Sequence, residues 1–486
     1  MTAPYPRRSA AELSPFPPDD ATPAPELEAR REQLVDADRR CLWKPFTQMQ
    51  AYQASDPVII EEGQGCWIRD VHGRAYLDGN SSLWVNLHGH RRPEIDQAIR
   101  SQLERIAHCT MLGPSNVPAI ELARTLVDMA PSPRLTRVFY SDSGSTAMEI
   151  AVKMAFQYWQ QVDGGEERTV FVRLDNAYHG DTIGSVSVGG IDLFHGVYGP
   201  LLFQTERAHS PYCYRCPVGR SHPGCGLECT ESIRQAFERN PGKVAALIVE
   251  PLMQGAAGIL IYPPEVLSRA AEIAREHGAL LIVDEVATGF GRTGEVFACQ
   301  HAGVEPDLVA VAKGLSAGYL PLAATLATEE IYRGFLGEHT DYKTFFHGHS
   351  YTGNPLACAA AFANLGLFAD GTLMAEVRRK AGRFGERLKA MGELPHVGDV
   401  RQLGLIAGVE IVKERAGEVP FRPDQQAGAT ICNAAKEQGV MVRPLGDVLV
   451  LMPPLAVSDD EIDLLCGVVH EAIEEIGPRL AREAGA

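Results

Sequence analysis

No stretch of this chain is apolar for the roughly 18 residues that a membrane-spanning helix needs, so no membrane-embedded role is expected. Basic residues are the minority: 45 Lys and Arg against 62 Asp and Glu leave a net charge of −17. Nucleic acid is disfavoured as a partner by that balance, and no basic stripe offsets it locally. The opening stretch, "MTAPYPRRSAAELSPFPPDDATPAPELEA", lacks the apolar core of a secretory signal. It is rich in Pro, Ala and charge, and residues 1–38 are expected to be a disordered tail. Cysteines number 11, an odd count, and most stand singly in apolar patterns, as at Cys41, Cys299, Cys358 and Cys466. That usage fits a cytoplasmic protein with reduced thiols and small buried hydrophobes.

What the chain does have is length and apolar rhythm. Its 486 residues exceed one small core. Between about Ile95 and Thr352, short and nearly continuous apolar runs ("RVFYS", "TVFVRL", "AALIVEP", "ALLIVDEV", "DLVAVAK", "LAATLAT") alternate with helical stretches. Such runs suit parallel strands buried on both faces. The expectation is an α/β large domain over 95–354 with a mainly parallel sheet. A smaller α+β domain follows over 355–480, and residues 39–94, in which "PVIIEEGQGCWIRDVHGRAYLDGNSS" reads as two short strands around a turn, supply its N-terminal segment.

The segment "ALLIVDEVATGFGRTG" contains a formal dinucleotide fingerprint, G-x-G-x-x-G. That motif needs its first glycine at the strand end and its third opening a helix. Here the strand ends at Asp284 and Glu285, ahead of the glycines, and the expected later acid is missing. A better phosphate cradle is "YSDSGSTAMEIAVKMA", where Gly144 and Ser145 open a helix with apolar positions Ala147, Ile150, Ala151, Met154 and Tyr158. Free N–H groups and the helix dipole hold an anion there. Asp284 closes one buried strand, and Lys313 closes a later one, where ligands bind in such sheets. An acid, a lysine and a phosphate cradle together match pyridoxal 5′-phosphate: the lysine condenses with its aldehyde and the acid pairs with its ring N–H. Tyr178, in "DNAYHGDTIG", offers an aromatic face. Each residue alone has an ordinary reading as a cap, a surface charge or a core ring. Their order and spacing make coincidence improbable.

"DEVATGFGRTG", "AKGLSAGYLP" and "SDSGSTAMEIAVKMA" resemble the class III, fold-type I aminotransferases that use pyridoxal phosphate. "LWKPFTQM", "SSLWVNLHGH", "YHGDTIGSVSVG", "TFFHGHSYTGNPLACAAA" and "VRPLGDVLVLMPP" resemble the branch acting on 8-amino-7-oxononanoate in biotin synthesis. The similarity runs from about Leu42 to Pro454. It implies that Lys313 binds the cofactor and moves the proton, that Asp284 holds the ring nitrogen and that Tyr178 stacks on the ring. Gly144 and Ser145 would hold the phosphate, with His349 and Ser350 reaching it from a second subunit of a homodimer. Trp84, Gly348 and Phe46 would contact substrate, Arg443 would take the oxononanoate carboxylate, and Arg292 would touch the pocket. Ser350 stands where the family usually has Thr, and a hydroxyl is kept. Phe46 stands where members using S-adenosylmethionine have Tyr. The donor is therefore open between S-adenosylmethionine, the family default, and lysine, and another class III substrate, an ω-amino acid or diamine, is the alternative.

One motif stands apart from that chemistry. "PYCYRCPVGRSHPGCGLEC" places Cys213, Cys216, Cys225 and Cys229 as two close pairs in a Pro/Gly-rich loop. Such spacing suits either tetrahedral Zn²⁺ or reduced thiols packed in an insert. No metal is assigned to the catalytic site.

Overall fold

Aliphatic side chains fill a seven-stranded sheet in this computed structural model, which describes residues 7–17, 25–162 and 164–483. From edge to edge the strands are Leu135–Ser141, Ala323–Thr328, Leu308–Val311, Leu280–Asp284, Val244–Val249, Val170–Leu174 and Glu206–Ala208. Val244–Val249, Leu280–Asp284 and Leu308–Val311 are buried at every position, as strands covered on both faces must be. All neighbouring pairs are parallel except those of Ala323–Thr328, which runs antiparallel to both its neighbours. The expected parallel character of "LAATLAT" is corrected here. Only residues 312–322 separate it from the preceding strand, fewer than the dozen or so a parallel crossover takes. The short, charged edge strand Glu206–Ala208 carries no apolar signal and was not foreseen.

The helix Gly144–Gln161 packs Ala147, Ala151, Ala155 and Tyr158 against this sheet, as its periodicity requires, and Ile150 is also buried. Ser143 caps it, accepting from the Thr146 N–H, while the Thr146 hydroxyl oxygen accepts from the Ser143 N–H.

A second, antiparallel sheet runs Val397–Leu403, Ile406–Ile411, Val448–Leu451, Arg443–Leu445. Helices Thr372–Gly392 and Asp459–Glu483 belong to the same part of the chain. Strands Ile60–Gln64, Trp67–Asp70 and Ala75–Asp78 form a third sheet, completed by Val440–Met441 through the pairs Val440↔Leu77 and Met441↔Asp78. The two ends of the sequence thus pair across a backbone ladder.

Residues 1–38 are not a uniformly irregular tail. Ala10–Leu13 is a helical turn with a Ser9–Glu12 capping box, and Pro25–Cys41 is a 17-residue helix. The composition hid helix signals: Glu26 and Glu28 in the first turn and Arg39 and Arg40 in the last complement the dipole. Arg7 pairs with Glu471 and Arg30 with Glu61. The remainder of that tail, residues 1–6 and 18–24, lies outside the described residues. Among the described residues, no helix is long and apolar enough to cross a membrane.

Candidate active site

Four chain segments leave the sheet at its carboxyl edge and meet at one cavity of about 430 Å³. Asp284 ends the central strand, and Glu250 directly follows Val244–Val249. Lys313 comes two residues after Leu308–Val311, and Ser143–Ser145 follow Leu135–Ser141. All of these line the cavity together with Tyr178, His179 and Trp84.

Asp284 is only 5% exposed, and an ionised carboxylate so placed needs partners. Its Oδ1 accepts from the Val286 N–H at 3.0 Å, and His179 Nδ1 stands 2.7 Å from its Oδ2. The buried Nε2 of His179 has no partner among the described residues. Glu250 is buried, accepting from the Tyr178 N–H and the Gly255 N–H at 3.0 Å each. Burial first, and then the charge of Asp284, push its carboxyl up to about 7.

Lys313 takes a left-handed backbone, φ 37°, in the tight turn after its strand. Its Nζ lies 4.7 Å from the centre of the Trp84 ring, and no hydrogen bond or salt bridge engages it among the described residues. Desolvation lowers its pKa, opposed by Asp284 and then Glu250. An amine held this way is more readily neutral, hence nucleophilic and basic.

The residues present fit pyridoxal phosphate. Gly144 and Ser145 occupy the first two positions of an 18-residue helix, where N–H groups have no partner within the helix. Glycine fits at 144 without displacement, whereas an added Cβ would stand 2.5 Å from Val286 Cγ1. An orphaned imidazole nitrogen, a buried carboxylate and a desolvated free amine face the same space. Tyr178 donates its hydroxyl to Asp181 at 2.8 Å, fixing its ring at the cavity wall.

Not every expected residue reaches that wall. Arg292 is fully buried and donates to Pro453 O, Asn86 O and Ser81 Oγ. It braces backbone and does not line the cavity, contrary to what the resemblance implied. Phe46 is 61% exposed and meets Phe194 edge-on at 5.5 Å, and Phe194 in turn meets Tyr178. Gly348, His349 and Ser350 lie outside the cavity wall in an irregular stretch, with His349 Nε2 4.0 Å from Asp142 Oδ1. Arg443 is exposed on its strand. Residue-type reasoning missed His179, Glu250 and Val286. Two had a signal: His179 follows Tyr178 directly, and Glu250 ends an apolar run just as Asp284 does.

Cys213, Cys216, Cys225 and Cys229 line one cavity of about 20 Å³, and all are free thiols. Burial and then the neighbouring thiols push Cys229 up to about 11. Among the described residues, no three His, Cys, Asp or Glu side chains are grouped to hold a metal ion.

Residues 49–473 match the family model "Aminotransferase class-III". The adenosylmethionine-8-amino-7-oxononanoate aminotransferase of Geobacter sulfurreducens is 51% identical over 444 residues, covering 91% of this chain and 98% of the relative. The crystal structure of the enzyme of that name from Methanocaldococcus jannaschii superposes with a TM-score of 0.87 at 42% identity, covering 92% of this chain and 99% of that one. An (S)-enantioselective omega-transaminase from Thermomicrobium roseum gives a TM-score of 0.87 at 33% identity, covering 92% and 98%.

Proposed function

The chain belongs to the class-III aminotransferase family, and from that membership we propose that it converts 8-amino-7-oxononanoate to 7,8-diaminononanoate in biotin biosynthesis, with S-adenosylmethionine as amino donor. The class depends on pyridoxal 5′-phosphate. When bound, that group supplies an aldehyde to take up the amine and a conjugated ring to hold electrons as a C–H bond breaks. The reading is carried by one observation: Lys313, Asp284 and the Gly144–Ser145 helix start converge on a single cavity.

Lys313 Nζ is the base that takes the proton from the amine-bearing carbon of the donor and returns it in the reverse direction for the acceptor. Asp284, steadied by His179 and the Val286 N–H, holds the proton on the ring nitrogen. The N–H groups of Gly144 and Ser145 bind the phosphate. Trp84 and Met253 give the cavity an apolar side suited to an alkyl chain. Phe46, Gly348, His349, Ser350 and Arg443 complete the site in a homodimer, Arg443 through a bidentate grip on the substrate carboxylate. Exposed Phe46, Phe346 and Tyr351 are apolar surface that a second copy would cover. The setting is cytoplasmic, where the free thiols stay reduced.

A single-turnover spectrum tests both substrates. S-adenosylmethionine should bleach the visible band of the bound cofactor, and 8-amino-7-oxononanoate should restore it. Bleaching by lysine alone would overturn the donor, and failure of the band to return would overturn the acceptor.

A further inference from the structure

We propose that Arg401 is a positioning residue for the substrate side of the cavity, holding the hairpin turn 255–259 from the smaller domain with the cysteine loop as its outer support. For its kinetic consequences the proposal rests on the transaminase reading above.

The wall in question is a short hairpin, Met253–Gln254 paired with Leu260–Ile261. Met253 and Ala256 line the cavity. Gly255 presses on the Trp84 ring, where an added Cβ would lie 3.1 Å from the indole, and that ring is the one under Lys313 Nζ. A shift of the turn therefore moves the surface that a substrate chain would meet.

On its inner side the turn is tied by the Gly255 N–H to Glu250. On its outer side it presents two carbonyls, and buried carbonyls need donors. Gly258 has φ 114°, a conformation that only glycine holds readily. Arg401, 8% exposed on the strand Val397–Leu403, meets both carbonyls. Its Nε donates to Ile259 O at 2.8 Å and its Nη2 to Gly258 O at 2.5 Å. Its Nη1 donates to Asp399 at 2.8 Å and Glu410 at 2.9 Å, which balances the buried charge.

Glu410 does not stop there. It also accepts from the Tyr212 hydroxyl at 2.5 Å and from Arg215 Nη2 at 3.1 Å. Those two residues bracket Cys213 and Tyr214, at the start of the cysteine loop, and the Arg401 guanidinium lies 5.5 Å from the Tyr212 ring centre. One hydrogen-bonded network, buried at Arg401 and Glu410 and reaching the surface at Arg215, thus joins the cysteine loop, the second sheet and the substrate wall. Only a planar, multi-donor fork can bridge two carbonyls and two carboxylates at once, so lysine is a poor substitute. The network touches neither Asp284 nor the Gly144–Ser145 helix start.

The test uses the full chain loaded with pyridoxal phosphate, as wild type and as Arg401→Lys, Glu410→Gln and Tyr212→Phe. The half-saturating concentration of 8-amino-7-oxononanoate should rise about tenfold in Arg401→Lys and about threefold in Tyr212→Phe, with kcat within about twofold and the cofactor band unchanged. Amide hydrogen exchange in a peptide spanning 252–262 should quicken in all three, while 280–284 stays protected. Tyr212→Phe removes one hydroxyl and keeps the test usable if Arg401→Lys folds poorly. Unchanged exchange in all three variants would overturn the proposal, as would a fall in kcat and cofactor band with KM unmoved. A wild-type enzyme inactive on this oxo acid would refute the substrate assignment alone, since the exchange measurement still decides the clasp.

Discussion

Three titratable side chains with opposed demands share the floor of the cavity. In the proposed reaction Asp284 faces the ring nitrogen and Lys313 works as a free amine, while Glu250 is pushed toward its protonated form. Glu250 makes the most informative probe. Its carboxyl, about 7 in the folded chain against 4.5 normally, binds more protons folded than unfolded between those values. Stability from this group is therefore full at low pH and falls as pH rises from about 4.5 to 7, by about 3 kcal/mol at most. Asp284 and His179 act on it from the neighbouring strand and loop, Lys313 lines the same cavity, and the Tyr178 N–H donates to it. Glu250→Gln removes the titration. Thermal midpoints of the cofactor-free proteins should shift in favour of the variant as pH goes from 5 to 8. A gap independent of pH would show that Glu250 is ionised throughout.

At the scale of elements, strand ends and one helix start do the placing. The alternation of apolar runs and helical stretches made most of this legible, because a strand buried on both faces leaves an unbroken apolar signature, as in Val244–Val249. Two things were not legible. Ala323–Thr328 reads the same whichever way it runs, and only the short connection before it decides. The helix Pro25–Cys41 was masked by its polar composition and by the prolines ahead of it. The helix start at Gly144 yields a sharp prediction. Val286 leaves no room for a side chain there, so Gly144→Ala must shift either the helix or Val286. Cofactor affinity, followed by fluorescence titration, should weaken at least about tenfold, while the circular dichroism of the helices is kept. Unaltered affinity would mean that the phosphate sits elsewhere.

On the scale of the whole molecule, the floor of the site was legible and its roof was not. Lys313, Asp284, Tyr178, Gly144, Ser145 and Trp84 come together within one chain. Phe46, Gly348, His349, Ser350 and Arg443 do not, and no pattern in a single sequence says which surfaces a second copy covers. Arg292 also shows how a charged residue in a loop that borders a pocket can turn inward to brace backbone. The proposed homodimer, with sites shared between subunits, predicts complementation. Lys313→Ala and Ser350→Asp should each be inactive alone. Mixed dimers carry one intact site, so an equal mixture after subunit exchange should recover about a quarter of wild-type activity. No recovery, with exchange verified by mass, would place Ser350 outside the site of its partner.

The central claim is that Lys313 is the residue at which the cofactor is held and the proton moved. Borohydride reduction of the holoenzyme, followed by peptide mass spectrometry, tests it most directly. A pyridoxyl phosphate adduct should appear on the peptide containing Lys313 and on no other lysine, and none in Lys313→Ala. An adduct on a different lysine, or a fully active enzyme with no adduct at Lys313, would contradict it.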